Sequence, residues 1–294
     1  MFGGSCTFDA LRSCEPAYGV TSLNSLLYVL RADYIDVYTT TADYTRLGCL
    51  SVPGLDGDEC NDLTSSLRYN CLYVAHCANR LIRAVEREQG SQRQWDVGGR
   101  PCGVSVTPDD ATLLVTFADS RRLLELRLEG GDWLRDVQLS ADIERPWHAV
   151  KLTCGHYVVT HSRVRGVPGQ HRVCRVDSAG GVLSTYGARG GSDAGQLNWP
   201  SHVGLMPGED DEDEFVFVAD SNNNGIVLLS SSMQLVEHYV GSLVRPCRLH
   251  LERATRRLFV SEFGGRVLVV PLNDCLAPAC SSVRLVPKPP RSSA

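Results

Sequence analysis

Short apolar runs recur along this chain at an almost regular spacing. Each run has the length and hydrophobic character of a buried β-strand, and polar or glycine-rich residues follow it as a turn requires. The six runs cover residues 27–29, 72–74, 113–115, 157–159, 215–217 and 258–260. This pattern predicts an all-β chain in which one unit is repeated six times.

A proline stands 11 to 15 residues before five of these runs. The prolines are Pro16, Pro101, Pro146, Pro200 and Pro246, and Cys60 has the corresponding place in the second repeat. The six starts are 44, 41, 45, 54 and 46 residues apart. Because a four-stranded blade takes about 40–50 residues, the spacing predicts a six-bladed β-propeller with blades that start near 16, 60, 101, 146, 200 and 246.

The fifth repeat carries a more specific pattern. A glycine-rich stretch leads to N-W-P at residues 198–200, and after a short apolar strand residues 218–224 read V-A-D-S-N-N-N. This segment resembles the NHL repeat, whose form is a glycine-rich approach, N-x-P, a short strand and V-A-D-x-x-N-N/H-R. Gly225 stands near the place of the arginine. The resemblance implies a propeller like that of the tripartite-motif NHL proteins.

The repeats predict a single domain over residues 1–286, followed by a disordered Pro/Ser tail over 287–294. An outer strand supplied from elsewhere in the chain would close the ring and remove the open sheet edge of the last blade. We expect residues 7–11 to supply the outer strand of the last blade, as residues 136–139 precede Pro146. The alternative is that residues 283–286 supply this strand.

Composition narrows the possible partners and compartment. The net charge of -5 excludes a polycation built for nucleic acid, although six carboxylates at 209–214 account for the acidity. The N-terminus has no signal-peptide pattern, and no apolar run approaches the ~18 residues of a membrane span. The 12 cysteines form no C-x-x-C pair, so a zinc ribbon is disfavoured. We therefore expect a cytoplasmic protein with reduced cysteines and with neither membrane nor DNA as a partner.

The resemblance also implies how the loops are distributed. The connections into the first strands and the turns between second and third strands share one face of such propellers, and many relatives bind RNA or protein there. Here that face would carry Arg100, Arg145, Arg245, Arg163, Arg165 and Trp199, with Tyr34, Phe263 and Trp147 as further aromatic candidates, although a core position is favoured for Trp147. Arg80, Arg122, Arg172 and Arg266 have the place of the motif arginine and would brace their own turns. The first hypothesis is a non-enzymatic recognition or scaffold module for a protein or single-stranded RNA, without a cofactor.

A second hypothesis comes from the residues two positions after each start. These are Tyr18, Asp62, Gly103, His148, His202 and Arg248, and each is expected near the inner end of its blade. His148, His202 and Asp62 could together hold zinc or calcium in the central channel, as in a metal-dependent lyase or hydrolase. The related peptide-amidating lyase and lactonase-like propellers use channel metals. No serine elbow, phosphate loop or H-E-x-x-H pattern occurs.

Overall fold

The computed structural model describes residues 10–11, 15–41, 43–52, 61–87, 91–162, 169–206, 214–239 and 242–272. Within these ranges the chain forms six antiparallel sheets of four strands each. The sheets are the blades of a six-bladed β-propeller, so the predicted fold class is confirmed. Two single-turn 3-10 segments are the helical elements of the described residues, and neither has the length or apolar character needed to cross a membrane.

The strands follow one another in chain order within five blades. Strand β1 is Ala10–Leu11, and blade 1 contains β2 (Gly19–Leu23), β3 (Leu26–Leu30), β4 (Tyr34–Thr39) and β5 (Arg46–Ser51). Blade 2 contains β6 (Asp62–Ser66), β7 (Cys71–His76), β8 (Leu81–Glu86) and β9 (Gln92–Asp96). Blade 3 contains β10 (Gly103–Val106), β11 (Thr112–Phe117), β12 (Arg122–Arg127) and β13 (Trp133–Gln138). Blade 4 contains β14 (Pro146–Lys151), β15 (Tyr157–Ser162), β16 (Gln170–Val176) and β17 (Val182–Arg189); blade 5 contains β18 (Pro200–Met206), β19 (Phe215–Asp220), β20 (Gly225–Ser230) and β21 (Leu235–Tyr239); blade 6 contains β22 (Pro246–Glu252), β23 (Arg257–Glu262) and β24 (Val267–Pro271). Each first strand begins within four residues of its predicted start, and each apolar run lies in a second strand.

The fourth strand of blade 6 comes from the other end of the chain. Strand β1 pairs with β24 in antiparallel register, with Ala10 opposite Leu268 and Leu11 opposite Val267. Residues 7–9 of the predicted closing segment lie outside the described residues. The alternative segment 283–286 and the predicted tail 287–294 lie outside them too.

The core consists of side chains trapped between neighbouring blades. Both faces of a blade are covered, so the second strands are continuous apolar runs rather than alternating ones. A large ring occupies these strands in all six blades, where Tyr28, Tyr73, Phe117, Tyr157, Phe217 and Phe259 are at most 1% exposed. Of the seven free cysteines in the described ranges, five are buried as small apolar side chains.

The N-W-P and V-A-D pattern of blade 5 has a clear structural cause. The Asp220 carboxylate accepts hydrogen bonds from the Asn198 N–H (2.6 Å) and from the Asn223 side-chain amide (2.7 Å). The chain then passes through a 3-10 turn and leaves it at Asn224, whose φ of 55° is left-handed. Asp220 thus joins the loop before β18 to the turn after β19, as aspartate often does in turns.

Candidate functional site

Three aromatic side chains from successive blades form a row on one face of the propeller. Trp147 lies near the start of β14, Trp199 directly before β18 and Phe263 directly after β23. The ring centroids of Trp147 and Trp199 are 6.0 Å apart, and those of Trp199 and Phe263 are 5.4 Å apart. Such separations are typical of favourable aromatic contacts. The row therefore crosses blades 4, 5 and 6.

An arginine lies over each end of this row. The Arg145 guanidinium is 5.3 Å from the centroid of Trp147, and that of Arg245 is 4.5 Å from the centroid of Phe263 and 5.7 Å from that of Trp199. The Nε atoms of both arginines are buried and have no hydrogen-bond partner among the described residues, and a terminal nitrogen of Arg145 lies 3.8 Å from the Asp119 carboxylate. We call Arg145, Trp147, Trp199, Arg245 and Phe263 the Arg–Trp surface. It presents cations held in place by aromatic rings.

The backbone before the lead-in prolines creates this arrangement. Trp199 and Arg245 have φ values of 60° and 51°, in the left-handed region that few non-glycine residues adopt. The Trp199 N–H donates to His171 Nδ1 (2.7 Å), and the Arg245 N–H donates to the Asn224 side-chain oxygen (2.9 Å). Backbone N–H groups of the following turns donate to both carbonyls, at 3.2 Å in each case. A strained conformation fixed by so many bonds is a common feature of functional sites.

The sequence-predicted face is thus partly assembled. Arg145, Arg245 and Trp199 come together in the Arg–Trp surface, although Trp199 is only 8% exposed. Arg100 is exposed on the loop that leads into blade 3 and is outside the aromatic row. Arg163 and Arg165 lie outside the described residues. Trp147 is half-buried rather than a core residue.

Two of the motif arginines brace their own turns, as expected. Arg266 forms a bidentate pair with Glu262, with N–O distances of 2.8 Å. Arg122 donates to the Val97 carbonyl (2.6 Å) and lies 4.1 Å from the centroid of Phe117. These side chains are engaged in the fold, so they are poor candidates for partner contacts.

A second candidate site lies in the central channel, where four side chains from four blades meet. Asp62 Oδ1 is 3.1 Å from Nε of Arg248, and Asp62 Oδ2 is 3.5 Å from Nε2 of His148 and 3.7 Å from Nε2 of His202. The two imidazole rings are stacked with centroids 3.6 Å apart. All four residues are buried. Four of the six positions that lie two residues after a start therefore meet here, whereas Tyr18 packs against a core cluster instead.

Asp62 also satisfies backbone groups that face the channel. Its Oδ1 accepts the Leu63 N–H (2.9 Å), and its Oδ2 accepts the Val104 N–H of the next blade (3.0 Å). Arg248 donates to the Asn61 carbonyl at 2.9 Å, which ties blade 6 to blade 2. Since a buried unpaired backbone group is costly, these bonds stabilise the inner strands.

The two histidines extend the same network around the ring. The Nδ1 atom of His148 accepts the Val203 N–H (3.5 Å), and Nδ1 of His202 accepts the Leu249 N–H (3.4 Å). An Nδ1 that accepts leaves the proton of a neutral imidazole on Nε2. Both Nε2–H groups then face Asp62, and that of His148 also reaches the Val104 carbonyl at 3.1 Å.

The charges of this channel cluster balance within it. Burial alone would raise the pKa of Asp62, but the Arg248 guanidinium and the two histidines hold it below its usual range. Burial, together with the neighbouring His202, lowers the pKa of His148 to about 3. Burial also lowers the pKa of His202. At neutral pH the cluster is an ionised Asp62–Arg248 pair with two neutral histidines.

Asp62, His148 and His202 are also the side chains that could hold a metal ion. One ligand atom from each lies within 4.8 Å of the others. A bound cation would need unprotonated nitrogens, whereas the Nε2 atoms carry protons in this network. It would also share Asp62 with the Arg248 guanidinium, 3.1 Å from the carboxylate. The donors fit one another better than they fit a metal.

The burial of His161 leads us to expect that the stability of the protein depends on pH. It is buried, and its two ring nitrogens have no hydrogen-bond partner among the described residues. Burial, then the charges of Arg172 and His171, lower its pKa to about 4. As the pH falls, His161 of the unfolded state binds a proton before His161 of the folded state does, so the free energy of unfolding decreases by about 1.4 kcal/mol per pH unit from about pH 6.5 towards pH 4. His161→Leu should reduce this pH dependence by the same amount, as measured by urea unfolding across the pH range. An unchanged pH dependence in the variant would contradict the assignment to His161.

No family model matches the chain, and no curated protein matches it. Solved structures are similar to it. A chain of hydrazine synthase from Kuenenia stuttgartiensis has a TM-score of 0.62 at 12% identity, over 89% of this chain and 97% of that one. Virginiamycin B lyase from Staphylococcus aureus has a TM-score of 0.58 at 16% identity, over 92% of this chain and 90% of the lyase. A streptogramin B lyase has a TM-score of 0.59 at 14% identity, over 92% and 89%. Such low identities establish the fold alone.

Proposed function

We propose that this propeller is a non-enzymatic recognition module that binds a protein partner through the Arg–Trp surface. The observation that carries the proposal is the row of three packed rings with a guanidinium over each end. Tryptophan and arginine dominate the energetic centres of protein interfaces because they combine large apolar area with directed charge. The rings hold the guanidinium groups in place, so that less side-chain entropy is lost on binding.

The chemistry of the row favours acidic side chains in the partner. The Arg145 and Arg245 side chains are partly exposed, and Arg145 already lies 3.8 Å from the exposed Asp119 carboxylate. A carboxylate pairs well with a guanidinium because both groups are planar and can form two parallel hydrogen bonds. Apolar side chains beside the carboxylates would cover the ring edges. We therefore expect a segment in which acidic and apolar residues alternate.

Single-stranded RNA is a weaker fit to the same surface. Base-specific or base-tolerant binding needs open aromatic faces on which bases stack. Here the faces are in contact with neighbouring rings or lie under Arg145 and Arg245. RNA could still contact the guanidinium groups through its phosphates, and such binding weakens steeply with salt.

A direct test compares three probes on the purified protein over a salt series. The probes are a peptide of alternating glutamate and leucine, its lysine–leucine counterpart, and a random single-stranded RNA pool. We expect the glutamate–leucine peptide to bind at physiological salt, the lysine–leucine peptide not to bind, and RNA to bind at low salt only. Retention of RNA with an enriched motif at physiological salt would indicate an RNA-binding module. Failure of all three would reject the Arg–Trp surface as a binding site for anionic partners.

A metal-dependent lyase or hydrolase is the second candidate, and it would use Asp62, His148 and His202, whose ligand atoms lie within 4.8 Å of one another. Two of the structurally similar propellers are lyases. Because the channel cluster is internally satisfied, we expect the melting temperature to be unchanged by EDTA and by added zinc or calcium. Stoichiometric metal that survives dialysis, and that is lost in His202→Ala, would favour the enzyme.

A further inference from the structure

A cavity of about 610 Å³ opens at the other end of the central channel. Its rim is formed by turns between first and second strands, and it includes Asn24, Leu67, Pro108 and Thr255. These turns lie on the face opposite the Arg–Trp surface, which uses the loops before the first strands and the turns after the second strands. His148, His202 and His250 line its deep end. The cavity is therefore a separate site with its own access to solvent.

The lining combines hydroxyl groups with aliphatic side chains. Ser22, Thr64, Ser65, Ser105, Thr107 and Thr255 supply the hydroxyls. Leu63, Val104, Val203 and Leu249 supply apolar surface between them. Sites for small molecules have this composition, in which apolar walls provide affinity and a few polar groups provide orientation.

The ionisable groups at the deep end of the cavity are neutral, and the charged groups lie at its rim. Asp110 Oδ2 accepts the Arg68 backbone N–H (2.7 Å) while its Oδ1 has no hydrogen-bond partner among the described residues, and Glu252 is paired with Arg257 (2.6 Å). His250 Nε2 is 2.9 Å from the hydroxyl oxygen of Ser22, and burial lowers the pKa of His250 to about 4. Arg253 lies on the exposed rim, in contact with water.

A charged ligand would lose its hydration in this cavity without meeting an available counter-charge at the deep end. That loss is costly for any ion. Asp62 and Arg248 do not change this balance, because they neutralise each other within hydrogen-bond distance. An uncharged ligand avoids the loss. It can donate hydrogen bonds to the hydroxyl oxygens, since Ser65, Ser105, Thr107 and Thr255 already donate their protons within the protein.

We propose that the channel-mouth cavity binds an uncharged small molecule that has an apolar body and one or more hydrogen-bonding groups. The cavity volume lies within the range of about 300–1,000 Å³ that ligand sites occupy. The proposal is independent of the Arg–Trp surface, so that either site can be rejected without the other.

Three probes of matched shape test the charge requirement. They are 2-naphthamide, which is neutral, 2-naphthoate, which is an anion, and 2-naphthamidine, which is a cation. Binding is measured by ligand-observed NMR and calorimetry on the whole chain. We expect 2-naphthamide to bind at least about tenfold more tightly than either ion. Equal binding of the three, preference for an ion, or no binding of 2-naphthamide would overturn the proposal.

A cavity-filling variant locates the binding. Gly204 lines the cavity, and a Cβ added there would meet only the Cβ of Leu249, at an ordinary contact distance of 3.8 Å. Gly204→Leu should therefore fold and occupy the space of the probe, which weakens 2-naphthamide binding at least about tenfold. Gly264→Leu is the matched control, since a Cβ at Gly264 has open space and this turn is on the opposite face. Unchanged binding in a folded Gly204→Leu variant, or equal loss in both variants, would reject the assigned cavity.

Discussion

An Asp62→Ala variant is expected to lose about 3–5 kcal/mol of unfolding free energy, because the Arg248 guanidinium then remains buried without its counter-charge. Asp62 is 1% exposed and accepts hydrogen bonds from two backbone N–H groups as well as from Arg248. Those donors lose their acceptor too. Equilibrium unfolding in urea measures the change in unfolding free energy. An unchanged slope of that free energy against urea concentration shows that the variant and the parent protein expose the same surface area on unfolding.

A matched control separates the effect of burying an ion pair from the effect of losing any ion pair. Asp136 pairs with Arg122 at 3.2 Å, but the Asp136 side chain is 45% exposed. Asp136→Ala should therefore cost no more than about 1 kcal/mol. Adding Arg248→Met to Asp62→Ala removes the stranded charge and should restore part of the loss. Similar losses for Asp62→Ala and Asp136→Ala would contradict the structural role of the channel cluster.

The fold could be predicted because its signals are local in the sequence. The apolar runs and the prolines before them indicate where each blade begins, and the first strand of each blade starts close to the predicted position. The meeting of Asp62, His148 and His202 could also be predicted, since equivalent positions in a ring converge on its axis. The sequence does not show which members of the ring bond to one another, so the pairing of Asp62 with Arg248 appears only in the structure.

The N-W-P and V-A-D motif is recognisable in blade 5 because other blades use different residues to join the loop before the first strand to the turn after the second strand. Asp220 in blade 5 corresponds to Glu262 in blade 6, as both are opposite a lead-in proline. In blade 1 the charges are reversed, with Arg31 bonded to Asp36 at 3.0 Å. In blade 3 the contact is between Phe117 and Arg122. A shared structural role with changed chemistry leaves little common pattern in the sequence.

The aromatic row was less accessible to sequence reasoning. The sequence indicates Trp147, Trp199 and Phe263 as aromatic candidates on one face, and the structure packs them against one another and under arginines. This arrangement depends on the left-handed backbone of Trp199 and Arg245 before proline. Residues before proline usually favour extended conformations, so no local rule would have predicted it.

The combined variant Arg145→Glu and Arg245→Glu is expected to weaken binding of the glutamate–leucine peptide at least about 100-fold. Truncation of one partner in a buried, hydrogen-bonded charge pair costs about 2 kcal/mol or more, and reversal adds repulsion. Calorimetry at physiological salt measures the effect, and thermal unfolding verifies that the fold is intact. The two side chains are partly exposed, and their contacts with the rings contribute little to global stability.

The control is a double reversal on the opposite face that changes net charge equally. Arg68→Glu with Arg253→Glu alters two exposed arginines on turns between first and second strands. If attraction were due to overall charge, both double variants would lose affinity to the same extent. If the Arg–Trp surface is the binding site, the control retains nearly all of it, since exposed charges beyond about 10 Å are screened by salt. Equal losses would therefore reject the Arg–Trp surface, whereas a loss confined to Arg145 and Arg245 would place the partner across blades 4 to 6.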